Sequence, residues 1–159
     1  MKLIEIGVNG NLSAEIALND FVREVIEATV AQYQRTGFVA PWIGYVGLED
    51  EVPVGVCGFK GRPVDGRVEI AYCTSPGHEG KGMATALASE LVLIARAENG
   101  NLTVFAQTLP EENASTTILR KLGFQMVGTV DHPEDGPVWE WELPANMPLL
   151  EVGRRHDVR

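Results

Sequence analysis

The segment His78-Glu79-Gly80-Lys81-Gly82-Met83-Ala84-Thr85 sets glycines and small side chains between a strand pattern and a helix pattern. A helix that begins this way presents its first amides, which have no intrahelical acceptor, at the positive end of the helix dipole. The chemistry open to such a turn is anion binding, and a phosphate group is the expected guest. Just upstream, Glu69 alternates away from Val68, Ile70 and Tyr72 on the strand that leads into the turn. A charge on a central strand calls for a reason. Glu69 is either a general base or a residue on a solvated face or in a structural ion pair.

Three phosphate turns compete for the glycine segment, and spacing separates them. A G-x-x-x-x-G-K-[ST] loop places Ser75 at its first glycine and Gly82 at its hydroxyl position, so it fails twice. A G-x-G-x-x-G fingerprint meets Thr85 where it needs a third glycine or alanine. The third turn is [RQ]-x-x-G-x-[GA], with Gly82 and Ala84 at its fixed small positions and Glu79 at its first. A helix that merely follows a glycine-rich loop is the plain alternative. In its third form the segment resembles the pyrophosphate turn of the GNAT N-acetyltransferase superfamily. Glu79 replaces the family's usual Arg or Gln, which removes one side chain and leaves the backbone amides.

Other segments carry the same resemblance in the same order. Val68-Glu69-Ile70-Ala71-Tyr72-Cys73-Thr74-Ser75 is similar to the strand that precedes the turn. The run from Thr108 through Asn113 and Ser115 to Leu122-Gly123-Phe124 resembles the second signature of loop, short helix and terminal GF. Asp135-Gly136-Pro137-Val138-Trp139-Glu140-Trp141 resembles the last hairpin of a common bacterial subgroup, so the likeness spans residues 43 to 143. It implies acetyl-CoA as cosubstrate, with no metal. The diphosphate lies on Glu79, Gly80, Lys81, Gly82, Met83, Ala84 and Thr85, and the pantetheine arm on the backbone of Cys73, Thr74 and Ser75. Asn113 is either a helix cap or a cofactor contact. The implied activity is direct transfer of acetyl to a primary amine, with Glu69 as base. Leu119 stands where many members carry a tyrosine acid, leaving Ser115, Tyr72 or water to protonate the thiolate. A thiol of pKa about 8.5 leaves readily enough for that acid to be optional.

The acceptor stays open between a small-molecule amine and a protein N-terminus, the latter because the ENASTTILRKLGF segment is similar to that of ribosomal-protein N-terminal acetyltransferases. A non-catalytic acyl-CoA sensor is the alternative reading, supported by Glu79 and Leu119, and a nucleotide-binding protein is a third. A net charge of −9 argues against nucleic acid and suits a cationic amine. Cys57 and Cys73 fall in strand patterns without CxxC spacing and read as packing residues. His78, His132 and His156 form no metal pattern. No apolar run approaches the roughly 20 residues of a membrane span, and the N-terminus is no secretory signal. The cytoplasm is the expected setting, and a homodimer is compatible with the chain.

The elements that must position these residues follow from periodicity. A strand is expected near Lys2 to Val8, then a helix capped by Asn19, with apolar positions Val22, Val25, Ile26, Val30 and Tyr33, ended by Gly37. A hairpin follows, Ile43 to Leu48 and Val54 to Phe59 about the acidic turn Glu49-Asp50-Glu51, then a strand over 67–74. Met83, Leu87, Leu91, Ile94 and Ala95 share a helix face closed by Asn99-Gly100. Leu102 to Gln107, a helix from Asn113 to Gly123, and a hairpin of Gln125 to Thr129 and Val138 to Leu143 complete the chain. In that last strand Trp139, Trp141 and Leu143 point one way and Glu140 and Glu142 the other. Phe38, Trp42 and Tyr45 are candidates either for packing or for a pocket wall.

At 159 residues with 45% apolar content, one domain over 1–143 and a loosely held tail over 144–159 are expected. The fold class is α/β, a single-domain mixed sheet of six to seven strands flanked by three or four helices. The resemblance adds that this sheet is mostly antiparallel and splays open between its fourth and fifth strands.

Overall fold

The computed structural model describes residues 1–150. In chain order the elements are β1 (Lys2–Glu5), α1 (Asp20–Thr36), β2 (Gly44–Glu49), β3 (Val52–Phe59), β4 (Arg67–Thr74), α2 (Met83–Glu98), β5 (Thr103–Thr108), α3 (Ala114–Leu122), β6 (Gln125–His132) and β7 (Gly136–Leu143). The strands form one seven-stranded sheet in the order β1-β2-β3-β4-β5-β7-β6. Every neighbouring pair is antiparallel except β4 and β5. The mixed, mostly antiparallel sheet expected from the sequence is present, with three helices around it.

Local chemistry fixes the helix ends. Asn19 accepts the Val22 amide at 2.8 Å through its side chain, so α1 starts where an unpaired amide finds an oxygen. Gly37, at φ 84°, terminates it. The first strand stops earlier than its alternation predicts. After Glu5 the Ile6 amide still donates to Gly44 at 2.9 Å and Ile6 bridges Leu12, but Gly7 donates back to the Asn11 carbonyl at 2.8 Å and the backbone turns. The last hairpin runs further than expected, since β6 continues to His132 and pairs it with Gly136.

The sheet has two apolar faces. On one, α1 buries Val22, Ile26 and Tyr33, and the Tyr33 hydroxyl both donates to the Ile6 carbonyl at 2.8 Å and accepts from the Gly44 amide at 2.9 Å. This pins the helix to β1 and β2. On the other, α2 buries Leu87, Ala88, Leu91, Val92 and Ala95, while Ile94 is only partly covered. Each fully buried leucine of this kind is worth about 1.5–3 kcal/mol of transfer free energy. Helix and sheet approach closely because Gly55 carries no side chain. A Cβ there would lie 2.5 Å from the Cys73 carbonyl and 2.8 Å from Leu87 Cδ1.

The segment after β7, expected to be loosely held, is tied over 144–150. Arg96 of α2 donates to the carbonyls of Leu143, Pro144 and Met147 at 3.3, 2.8 and 2.6 Å, and the Leu150 amide donates to Leu122 at 3.1 Å. The remainder of the expected tail, His156 included, lies outside the described residues.

Candidate active site

The site begins where two parallel strands part. β4 and β5 pair only through Arg67 with Thr103, Val68 with Val104 and Glu69 with Phe105. Beyond Glu69, β4 stays with β3 as far as Thr74, and β5 stays with β7 as far as Thr108. Each strand therefore follows its antiparallel neighbour, and a wedge opens between them, at the place expected from the sequence. On β4 the backbone alternates. The Ser75 amide donates to Val54 and the Glu69 carbonyl accepts from Lys60, both at 2.9 Å, so odd-numbered residues aim at β3. Ile70, Tyr72 and Thr74 then turn their amides and carbonyls into the wedge. Of the three residues named for this edge, Thr74 faces the gap. Cys73 points to β3 by the same alternation, and the Ser75 amide is already used there.

At the end of β4 the chain enters the glycine turn. Gly77, Gly80 and Gly82 have φ of 93°, 77° and 79°, and a Cβ built on any of them meets nothing within 4 Å. Gly82 is the N-cap of α2 in the left-handed conformation and supplies no side-chain cap. The first intrahelical bond runs from Ala86 to Gly82 at 3.0 Å, so the amides of Met83, Ala84 and Thr85 have no partner inside the helix. No acidic residue stands in that first turn. Ser75 is fully buried beside it with an Oγ that has no hydrogen-bond partner. Unpaired amides and no acid make this turn a main-chain candidate for an anion, and its chemistry fits a diphosphate. Glu79 does not enter it as a ligand from above. Its carboxylate folds back onto the Gly77 amide at 2.8 Å, and hydrogen bonds from its own amide and that of Gly77 hold the carboxyl below its usual range. Lys81 is exposed.

Glu69 stands at the vertex of the wedge, on the sheet face that carries α1. Its side chain is only 19% exposed. Burial pushes its carboxyl above the usual range; Lys60, His132 and Arg67 pull it down and Glu140 pushes it up. The nearest cation, Lys60 Nζ, lies 3.9 Å away, too far for a hydrogen bond. The neighbouring strands supply a built charge network. Arg67 donates to Glu140 at 2.7 Å and to Glu142 at 2.9 Å, stacks 4.0 Å above the Phe105 ring, and Gln107 donates to Glu140 at 3.3 Å. Arg67, Lys60, Gln107 and Glu140 are absent from the sequence reading as site residues. They are far apart in the chain and meet only through strand register, although the alternation of Glu140 and Glu142 against the tryptophans marked that face.

A cleft of about 310 Å³ opens on the same side, between α1 and the sheet. Ala71 and Cys73, two and four residues along β4 from Glu69, form part of its floor. Trp42 and Tyr45 pack into the core, while Phe38 is exposed and covers Tyr33 from outside. Trp42 meets Phe59 edge-on at 5.0 Å, Phe38 meets Tyr33 the same way, and the Tyr45 hydroxyl donates to Pro41 at 2.6 Å. Burial raises both thiols, at Cys57 and at Cys73, so both stay protonated at neutral pH.

On the opposite face α3 approaches α2. Asn113 caps α3 with a reciprocal capping box, its Oδ1 accepting from Thr116 at 3.1 Å and its amide donating to Thr116 Oγ1 at 3.0 Å. That leaves only Nδ2 for a ligand. Ser115 lies in the first turn, half-buried. Leu119 is fully buried, and Tyr72 has its phenol pushed up by burial. Glu69 and the helix that carries Ser115 thus lie on different sides of the sheet. Among the described residues no cluster of three or more His, Cys, Asp or Glu could hold a metal, and no helix is long and apolar enough to cross a membrane.

Comparison with known proteins bears on this arrangement. A RimL ribosomal L7/L12 alpha-N-protein acetyltransferase, solved with coenzyme A, superposes with a TM-score of 0.60 at 16% identity, over 82% of this chain and 75% of that one. An acetyltransferase from Salmonella typhimurium, which modifies the N-terminal serine of L7/L12, does so at 0.57 and 15% identity, over 80% and 76%. The Salmonella typhimurium protein yncA, solved with its cofactor acetyl-CoA, gives 0.60 and 24%, over 76% and 73%. These likenesses establish the fold. No curated protein sequence matches the chain. The acetyltransferase (GNAT) domain family matches residues 13–125, reaching back over α1 and ending at the start of β6. With the wedge, the glycine turn and the order of its signatures in one sheet, the chain belongs to the GNAT acetyltransferase family.

Proposed function

We propose that the protein is an N-acetyltransferase that moves an acetyl group from acetyl-CoA to a primary amine by direct transfer. The observation that carries this reading is the wedge with its two free backbone surfaces, the β4 edge at Ile70, Tyr72 and Thr74 and the amide cradle at Gly80–Thr85. An extended pantetheine arm is met by a strand edge as an added strand is. Acetyl-CoA supplies an activated thioester when bound. The chain's own residues then hold the diphosphate on the amides of the turn, aligned with Gly82 and Ala84, and keep the acyl carbon near Glu69.

Transfer forms a nitrogen–carbon bond and breaks the carbon–sulfur bond, with one proton leaving the amine and one reaching the thiolate. An alkyl ammonium of pKa about 8 to 10 must first be neutral, and Glu69 removes that proton directly or through water. A β4 amide aimed into the wedge stabilises the tetrahedral oxyanion. Ser115, or water, relays to sulfur the second proton, which the attacking nitrogen sheds as the amide forms, because Leu119 has no group to carry it. Nδ2 of Asn113, left over from the cap, would be available to the thiol end of the cofactor. Holding both partners in place supplies much of the rate.

A sensor that binds acetyl-CoA without turnover is the competing reading, favoured by Glu79 and Leu119. Release of free thiol in the presence of amines separates the two. The enzyme reading expects acceptor-dependent release. Tight binding of acetyl-CoA without release under any amine tested points to the sensor.

A further inference from the structure

The cleft beside Glu69 has a chemistry of its own. Val25 and Ala28 of α1, Val56 of β3 and Ala71 of β4 give its walls a mostly apolar surface, to which Thr29 and Gln32 of α1 add polar groups. Among the described residues Lys60, partly exposed just after β3, is the one charged side chain that lines it. At about 310 Å³ it sits at the small end of ligand sites. Glu69 stands outside this lining on the same sheet face, two residues along β4 from Ala71, and its carboxylate lies 3.9 Å from Lys60 Nζ without a hydrogen bond between them. Both keep hydrogen-bonding capacity for a third party. Gln32 donates to the Phe59 carbonyl at 3.2 Å, which fixes its amide in the wall.

We propose that the acceptor is a small zwitterion, an α-amino acid with an apolar side chain, its side chain in the cleft, its carboxylate on Lys60 and its amino group toward Glu69. The proposal rests on the acetyltransferase reading above. A cation and a carboxylate held side by side are the charge complement of an amino group and a carboxylate on one carbon. A polyamine meets the wrong charge, since Lys60 repels its second ammonium and no acid lines the cleft to receive it. A protein N-terminus offers an amide carbonyl where Lys60 needs a carboxylate, and leaves that ammonium without its partner.

The test is steady-state release of free thiol from acetyl-CoA by the full chain, with leucine, methionine, leucinamide, spermidine and a serine-initiated peptide as acceptors. The expected result is that leucine or methionine exceeds leucinamide by about ten- to hundred-fold in kcat/KM, the scale of one charge-assisted contact. Lys60→Met then lowers kcat/KM for the acid about ten-fold and brings the acid-to-amide ratio toward one. Equal use of leucine and leucinamide, or preference for spermidine or the peptide, overturns the zwitterion assignment while leaving acetyl transfer intact. Absence of thiol release with every amine is instead the failure of the acetyltransferase reading. In that case calorimetry with leucine and leucinamide on the protein saturated with coenzyme A decides the cleft: binding of the acid alone sustains it, and equal or no binding overturns it.

Discussion

The turn between β4 and α2 and the face around Glu69 lie at opposite ends of one strand, yet they are built from different materials. The turn offers main-chain nitrogens, and its glycines matter for what they lack; no atom lies within 4 Å of a Cβ placed on Gly77, Gly80 or Gly82. The Glu69 face offers side chains drawn from β3, β4, β5 and β7, each positioned by register and held by Arg67 between Glu140 and Glu142. A main-chain site has no titrating group and is sensitive to bulk. A side-chain site is tolerant of small changes in shape and sensitive to protonation. The two regions should therefore fail in different ways when perturbed.

The largest effect belongs to the side-chain region. Glu69→Gln keeps the shape and removes the proposed base, and kcat is expected to fall by about a hundred-fold or more, within the range of general base catalysis. The pH profile sharpens the point. Burial raises the Glu69 carboxyl, with Glu140 adding to it and Lys60, His132 and Arg67 opposing. A base works ionised, so activity falls as pH drops through this raised value, and the acid limb lies at higher pH than an exposed carboxylate gives. In the Gln variant that limb vanishes. A wild-type limb in the ordinary carboxylate range, or one that survives in Glu69→Gln, removes Glu69 from the role.

The main-chain region is broken by bulk instead. Gly82→Leu is expected to raise the KM for acetyl-CoA by about ten-fold or more, the value of a lost charge-assisted hydrogen bond or two, with kcat little changed at saturation. The fold tolerates the side chain because the space is open, but the left-handed backbone costs about 1–2 kcal/mol, a few degrees in Tm. No shift with pH accompanies it. An unaltered KM would count against the turn as the diphosphate site and would remove the contrast between the two regions.

The same contrast explains what the sequence could show. The cradle is local: glycine and alanine at fixed spacing between a strand and a helix are visible in one line of text, and so was Asn113 as a cap, since a cap and its target amide are three residues apart. The splay itself was inferable from the resemblance, and its vertex is marked by the last paired residue, Glu69. The Arg67 network was not visible. Arg67 and Glu140 are separated by 73 residues and meet because β5 lies between β4 and β7, an order set by long-range pairing and by no neighbouring residue. Lys60 was passed over for a related reason. A lysine just after a strand reads as solvated surface until the opposite strand places a half-buried carboxylate beside it. The early end of β1 was missed because Gly7 interrupts the strand through its own hydrogen bond to Asn11, while Val8 keeps the alternation on paper.

The smallest expected effect lies on α3, where one residue combines both materials. Asn113 uses Oδ1 to hold the Thr116 amide, a structural task, and leaves Nδ2 for a ligand. Replacing it with alanine removes both functions and is expected to cost about 1 kcal/mol, seen as a drop of a few degrees in Tm. Asn113→Asp separates them. An aspartate caps as well as asparagine and suits the positive end of the helix, so Tm should hold or rise slightly. It cannot donate, and it adds a charge at the position proposed to meet the cofactor. The KM for acetyl-CoA should then rise by about three-fold, the value of a modest hydrogen bond. If Asn113→Asp keeps both Tm and KM, the residue is a cap alone, and the cofactor side of the wedge is left to the backbone of β4 and the glycine turn.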